Sequence, residues 1–174
     1  MSDAWTAVTS TLALEFSDVP DLEQFTRITV RLLLAALLGG LLGYERGQKG
    51  KSAGVRTHML VATGSALFVL IPAQTGVVPA DMTRVIQGLV AGIGFLGAGT
   101  IWKGDTTSHV KGLTTAAGIW LTAAIGMAAG LGREVTAVMA TVLALFILWL
   151  LPIIAPNLDK SEQEDQAEEN AGQP

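Results

Sequence analysis

The fold is decided by a long apolar segment near the start of the chain, residues 28–44, which read ITVRLLLAALLGGLLGY. Its length is close to the roughly 20 residues that a helix needs to cross a bilayer. Four more apolar runs follow, at residues 58–73, 85–102, 113–129 and 135–155. Because backbone polar groups in lipid must bond to one another, these runs predict helices. We therefore expect an all-α, polytopic transmembrane bundle of about five Gly-rich spans.

The composition argues against several classes of protein. Half of the 174 residues are hydrophobic, 20 are Gly and only 15% are charged, which is too apolar for an ordinary soluble domain. The sequence has no Cys and no basic stripe, so we expect no disulfide, no thiolate chemistry and no nucleic-acid binding. It also has no nucleophile elbow or P-loop motif. We predict that the protein is not an enzyme and that it uses no cofactor.

Charge divides the chain into three segments. Residues 1–20 mix polar and apolar side chains, which predicts a mobile tail or a helix on the membrane surface. Residues 21–156 form the predicted transmembrane domain, and Asp21 is placed to cap its first helix. Six acidic side chains and one basic side chain follow residue 158. Residues 157–174 are therefore predicted to be an acidic, disordered cytoplasmic tail.

The basic loops predict the orientation in the membrane. Six Lys and Arg residues fall in segments 45–56 and 103–111. The two loops on the opposite side, residues 74–83 and 130–134, contain one such residue, Arg133. The positive-inside rule then places the N-terminus outside and the C-terminus in the cytoplasm. Arg31, near the outer end of the first span, is expected to extend its guanidinium toward the lipid headgroups.

The glycines predict close packing between helices, because small residues one turn apart let two backbones approach. The predicted packing residues are Gly39, Gly43, Gly88, Gly92, Gly94, Gly97, Gly99, Gly126 and Gly130. The third span is the richest in Gly, so we expect it to be the central helix. An alternative is that it is kinked or locally unwound and lines a substrate path. We also predict a homo-oligomer, most simply a dimer, through the first or fourth span.

The two basic loops are similar in sequence. A Gly-Xaa-Leu-Gly tetrapeptide occurs before each loop, at residues 40–43 and 94–97. After the loops come Gly54-Val-Arg-Thr and Gly112-Leu-Thr-Thr. If this similarity is an internal repeat rather than a coincidence, spans 1 and 2 recur as spans 3 and 4 in the same orientation.

A polar cluster is predicted where these loops meet the spans. Glu45 ends the first span, and we expect it to pair with Arg56, either as a structural link or as part of a functional site. The candidate site residues are Glu45, Arg46, Arg56, Thr57, His58, Lys111, Thr114 and Thr115. We predict no metal site, because the two His are not spaced as ligands and the spans offer few carboxylates for Mg²⁺. Hydroxyl groups within the spans, among them Ser65 and Thr122, are expected to form hydrogen bonds between helices.

Four motifs, in order, resemble the MgtC/SapB family of membrane proteins. They are Gly43-Tyr-Glu-Arg46, Ala53-Gly-Val-Arg-Thr-His58, Gly92-Ile-Gly-Phe-Leu-Gly-Ala-Gly99 and Lys111-Gly-Leu-Thr-Thr-Ala-Ala117. The resemblance covers about residues 28–150 and implies a bacterial inner-membrane protein of the short form, without a C-terminal cytoplasmic domain. It also implies a role in adaptation to low Mg²⁺ and, in some intracellular pathogens, in survival within the host.

Two hypotheses about function follow. The first is a non-enzymatic membrane regulator that contacts lipid and a membrane protein partner, for which the resemblance implies the ATP synthase. The second is a transporter or channel for an ion or small solute. The Gly-rich third span and the polar neighbourhood of Glu45, Arg56 and Thr114 favour the second hypothesis.

Overall fold

The computed structural model describes residues 2–17, 19, 21–76, 78–103 and 110–154, and this part of the chain is almost entirely helical. In chain order, its elements are α1 (Ser2–Glu15), α2 (Leu22–Gln48), α3 (Val55–Gln74), α4 (Pro79–Ala98), β1 (Trp102–Lys103), β2 (Val110–Lys111), α5 (Leu113–Gly130) and α6 (Glu134–Ile154). The all-α prediction is confirmed.

The ends of the chain differ from its middle. In α1, every side chain from Asp3 to Glu15 is exposed. Asp21 caps α2 as predicted, because its Oδ1 accepts a hydrogen bond of 2.7 Å from the amide of Gln24. The predicted acidic tail, residues 157–174, lies outside the described residues.

Three helices are long and apolar enough to cross a membrane, namely α2, α3 and α5. Helix α6 is apolar, but its stretch Glu134–Leu150 is shorter than these three helices. Helix α4 has 20 residues, but Asp81 and Arg84 lie in its first two turns and lower its hydropathy. The protein is therefore an integral membrane protein by length and composition, and the count of five spans stays a prediction.

The centre of the bundle is α5, which packs against α2, α3, α4 and α6. Alanine is the most frequent residue in the core between these helices, together with two Leu and one Ile. Its buried members are Ala35, Leu38, Leu42, Ala62, Ala66, Ile125, Ala129, Ala137 and Ala144. Bulky side chains point outward instead, such as Leu60 at 74% exposure, as expected for a surface that meets lipid.

The expectation that the third span is central is wrong. Helix α4 packs on α3 and α5 only at the edge of the bundle, and a Cβ added at Gly88, Gly92 or Gly94 would meet no atom within 4 Å. Small residues permit close approach but do not attract a neighbour, so Gly content alone does not place a helix at the centre. Helix α4 is also continuous from Pro79 to Ala98, which excludes the locally unwound alternative for this segment.

Glycine begins both helices that follow the basic loops. Gly54 is the N-cap of α3 and Gly112 is the N-cap of α5. Gly112 has φ +88°, and a Cβ there would overlap the carbonyl oxygen of Thr100, so no larger residue fits. Gly126 of α5 contacts Ala62 of α3, and one turn later Gly130 contacts Ala66. Because both contacts advance along the chain together, α3 and α5 run parallel. This is the arrangement that an internal repeat predicts.

Candidate functional site

Backbone contact between α2 and α3 builds one half of the candidate site. A Cβ added at Gly39 would lie 2.6 Å from the carbonyl oxygen of His58, and one at Gly43 would lie 2.6 Å from Cα of Val55. The two helices can approach this closely only because both positions are Gly. The contact brings the end of α2, with Glu45 and Arg46, beside the start of α3.

Glu45 makes its ion pairs within α2. Lys49 Nζ lies 2.8 Å from its Oε1, and Arg46 Nη1 lies 3.8 Å from its Oε2. Lys49 also donates a hydrogen bond of 2.6 Å to the carbonyl oxygen of Leu148, which links α2 to α6. The predicted pair between Glu45 and Arg56 is wrong: the Arg56 side chain is exposed, and Lys49 reaches Glu45 from one helical turn away.

Two buried side chains next to Glu45 carry nitrogen atoms that lack hydrogen-bond partners in the part of the chain that the structure describes. Arg46 is only 3% exposed, and its Nε and Nη2 make no hydrogen bond. His58 is 1% exposed, and its Nδ1 lies 3.0 Å from the carbonyl oxygen of Gly54, to which it can donate. Its Nε2 is unpartnered and points toward Gly118 of α5. Buried polar groups without partners are costly and are concentrated at functional sites.

Unpartnered polar atoms continue along the interface of α3 and α5. Thr122 lies one turn beyond Gly118 on α5, and its hydroxyl is buried without a hydrogen bond, as is the hydroxyl of Ser65 on α3. The interhelical hydrogen bonds that we expected for these two residues are not formed within the described chain. Together with His58 Nε2, they place polar atoms in the otherwise apolar interior of the bundle.

A cavity of about 280 Å³ forms the other half of the candidate site, where the two basic loops meet. Its lining residues are Gly50, Lys51, Ser52, Thr100, Trp102, Lys111, Gly112, Thr114 and Thr115. Lys51 comes from the loop between α2 and α3, whereas Lys111 comes from β2. The cavity therefore brings two cationic side chains from separate loops to one place.

The predicted site residues thus fall into three groups. Glu45, Arg46 and His58 come together between α2 and α3. Lys111, Thr114 and Thr115 line the cavity. Arg56 and Thr57 are exposed on the first turn of α3, outside both groups.

Sequence reasoning missed Lys51, Ser52 and Trp102, which complete the cavity. The similarity of the two basic loops was the available signal. Each loop carries a Lys shortly before the glycine that begins the next helix: Lys51 is three residues before Gly54, and Lys111 is one residue before Gly112.

Arg31 has a structural role that sequence reasoning also missed. Its Nη1 donates a hydrogen bond of 3.2 Å to the carbonyl oxygen of Gly130, and its Nε lies 3.6 Å from Glu134 Oε1. A cation at a helix C-terminus stabilises the last carbonyl groups. The guanidinium therefore caps α5 and joins it to α6, and the prediction that it extends toward lipid headgroups is wrong.

No group of three or more His, Asp or Glu side chains that could hold a metal ion occurs among the described residues. The polar groups of the site are mostly cations and hydroxyls. Ammonium, guanidinium and hydroxyl groups of this kind can donate hydrogen bonds.

The sequence profile of the MgtC family matches residues 32–156, a range that contains every residue of the candidate site. The chain belongs to the MgtC family. The resemblance seen in the four motifs is therefore confirmed. No solved structure matches.

Curated relatives agree with this assignment. The protein named putative magnesium transporter YhiD of Escherichia coli K12 is 41% identical over 126 residues, which cover 68% of this chain and 58% of YhiD. Protein SrpB of Synechococcus elongatus is 43% identical over 133 residues, 70% of this chain and 72% of SrpB. Protein MgtC of Salmonella typhimurium LT2 is 45% identical over 116 residues, 67% of this chain and 48% of MgtC. The chain spans about half the length of YhiD and of MgtC.

Proposed function

We propose that this protein is a non-enzymatic regulator in the bacterial inner membrane, which supports adaptation to low magnesium by binding a membrane protein partner. Membership of the MgtC family and the word magnesium in the name of the relative YhiD support a role related to magnesium. The positive-inside rule supports an orientation with the C-terminus and both basic loops, hence the cavity, at the cytoplasmic face.

The observation that carries the proposal is the open face of α4. Gly88 and Gly92 lie one turn apart on this face and are exposed, with no atom within 4 Å of an added Cβ, and Phe95 on the same face is 80% exposed. In lipid, helices associate through small residues that allow the backbones to come close. A transmembrane helix of the partner fits this face, and the membrane ATP synthase is the first partner to test because the family resemblance implies it.

The proposal predicts how a deletion strain grows across a Mg²⁺ series. We expect poor growth confined to low Mg²⁺, which the natural chain restores and Gly92→Ile does not, because Ile would hold a partner helix away from α4. Gly64→Ile is the matched control, since Gly64 lies within α3 and an added Cβ there also meets no atom within 4 Å. We expect Gly64→Ile to restore growth, with both variants present in membranes at equal amounts on an immunoblot.

Two outcomes would contradict the proposal. Equal rescue by Gly92→Ile and Gly64→Ile would mean that the open face of α4 is not used. Normal growth of the deletion strain at every Mg²⁺ concentration would remove the magnesium role altogether.

A second candidate function is a transporter or channel for an ion or small solute. The unpartnered polar atoms of His58, Ser65 and Thr122 favour it, because polar groups inside a membrane bundle can line a path. It predicts flux of Mg²⁺ or another small solute into vesicles that contain the purified protein, lowered by Thr122→Val. Flux equal to that of empty vesicles over a broad solute panel would exclude this candidate.

A further inference from the structure

We propose that Gln87 of α4 selects the partner helix by forming a hydrogen bond with a polar side chain in the middle of that helix. The inference rests on the proposed function, because it names the chemistry of the partner that contacts α4. It adds one requirement, namely that the partner helix carries an amide, hydroxyl or imidazole group at the depth of Gln87.

Gln87 is a polar side chain on the outside of a bundle that otherwise keeps such side chains within it. Among the described residues that lie more than two turns from either end of α2, α3, α4, α5 or α6, it is the only exposed one with a polar side chain. The hydroxyl residues in similar places, Ser65, Thr122 and Thr141, are buried. Polar side chains in membrane helices rarely face lipid, and they mark contacts or functional sites.

The packing of α4 on α5 gives the depth of Gln87. Gly97 faces Ala116 near the beginning of α5, since a Cβ added at Gly97 would lie 3.6 Å from Ala116. The pairing of β1 with β2 turns the chain back, so α5 runs antiparallel to α4. Gln87 precedes Gly97 by about 15 Å along α4, and the same rise on α5 leads from Ala116 to Gly126. Gly126 contacts Ala62, about 10 Å from the beginning of α3 and about 18 Å from its end, so Gln87 is level with the middle of the bundle.

The side-chain amide of Gln87 has two N–H donors and a carbonyl acceptor. It forms no hydrogen bond with any other residue that the structure describes. Thr83, one turn earlier, is different, because its hydroxyl donates a hydrogen bond of 3.0 Å to the carbonyl oxygen of Pro79. Lipid tails offer neither donors nor acceptors, so an amide at this depth is unfavourable until a group from another protein binds it.

The surroundings of Gln87 leave room for a helix. Ala91, Gly94 and Ala98 follow it at helical spacing and are also exposed. Helices α3 and α5 pack on the other side of α4, where Ile93 is buried. The amide therefore faces away from the helices that α4 already contacts, and the small side chains after it let another backbone come within reach. A partner helix with a polar side chain satisfies the amide, whereas a wholly apolar helix leaves it without a hydrogen bond.

The test is photo-crosslinking with the full chain in cells grown at low Mg²⁺, with a photoreactive phenylalanine analogue in place of Phe95, which is 80% exposed. The yield of the crosslink to a second membrane protein is measured. Gln87→Met keeps the length of the side chain and removes the amide. We expect it to lower the yield about three- to tenfold, the effect of one hydrogen bond between membrane helices. Gln87→Asn keeps an amide and should retain most of the yield.

Thr83→Val is the matched control. It also removes an exposed polar group from α4, but that group is already bonded within the helix, so the crosslink should form as in the natural chain. The amount of each variant in membranes is compared by immunoblot, and its thermal unfolding is followed in detergent. Gln87→Met should unfold at the same temperature as the natural chain, because the amide has no partner among the described residues. A lower yield then reports binding rather than folding.

Mass spectrometry of the crosslinked product identifies the segment of the partner. We expect a transmembrane helix with an amide, hydroxyl or imidazole side chain near its middle. Replacing that side chain with Ala should lower the yield of the natural chain by the same factor as Gln87→Met. It should have little further effect in Gln87→Met, because both changes remove one hydrogen bond.

Several results would overturn the role of Gln87 while leaving a partner on α4. They are an unchanged yield in Gln87→Met, equal losses in Gln87→Met and Thr83→Val, a partner segment without a polar side chain, or additive losses in the combined variants. A natural chain that gives no crosslink, or only a product of two copies of itself, would instead contradict the proposed function, and the inference would fail with it.

Discussion

Gly39 and Gly92 carry the same side chain, a single hydrogen, in opposite surroundings. At Gly39 an added Cβ would lie 2.6 Å from the backbone of His58, whereas at Gly92 it would meet no atom within 4 Å. The motif Gly-xxx-Gly surrounds both residues and does not distinguish them. The difference comes from which helix packs opposite, and only the tertiary structure supplies that information.

This difference predicts the stability of two alanine variants. Gly39→Ala should destabilise the bundle by about 1–3 kcal/mol, because the backbone of α3 must move to admit the methyl group. Gly92→Ala should leave stability unchanged or raise it by up to about 1 kcal/mol, since Ala is the better helix former. Thermal unfolding of both variants in the same detergent provides the measurement. Equal melting temperatures would show that α2 and α3 do not approach as closely as described.

At the scale of helices, the Arg31 contacts hold α2 to the end of α5 and the start of α6. Its guanidinium binds the last carbonyl of α5 and faces Glu134 at the first residue of α6. Arg27, one turn earlier, forms an exposed pair with Glu23 within α2 and no other ion pair among the described residues. Arg31 therefore links α2 to α5 and α6, whereas Arg27 forms a pair within α2.

We expect Arg31→Gln to loosen the last turn of α5, because its carbonyl groups lose a cationic cap worth about 1 kcal/mol. Arg27→Gln serves as the control, since an exposed pair at this spacing contributes only about 0.3–0.5 kcal/mol. Hydrogen exchange of residues 127–131 should become faster in Arg31→Gln and stay unchanged in Arg27→Gln. Unchanged exchange in both variants would contradict the capping role.

The helices themselves could be predicted from sequence, and their neighbours could not. Apolar runs and the Asp21 cap indicate where helices lie, because chain length and backbone hydrogen bonding are local constraints. The central position of α5, rather than α4, depends on which small-residue faces meet, and Gly occurs on both helices. For the same reason, the sequence predicts that Glu45 pairs with Arg56, whereas in the structure Glu45 pairs with Lys49. In the candidate site, Lys111, Thr114 and Thr115 were predicted, but the cavity that they share with Lys51 required the structure.

At the scale of the whole molecule, the described chain has two unlike surfaces that bear on function. One is the cavity between the basic loops, where donors gather. The other is the open, Gly-lined face of α4, which no other described helix covers. The two surfaces are formed by different residues, so variants of each can be tested separately.

The most direct test of the central claim is photo-crosslinking from α4 in cells grown at low Mg²⁺. A photoreactive phenylalanine analogue replaces Phe95, which is 80% exposed on α4, or as a control Phe146, which is 54% exposed on α6. If a partner helix binds the open face of α4, we expect a crosslink from position 95 to a second membrane protein and none from position 146. The same products from both positions, or a crosslink from position 95 only to another copy of this chain, would contradict it.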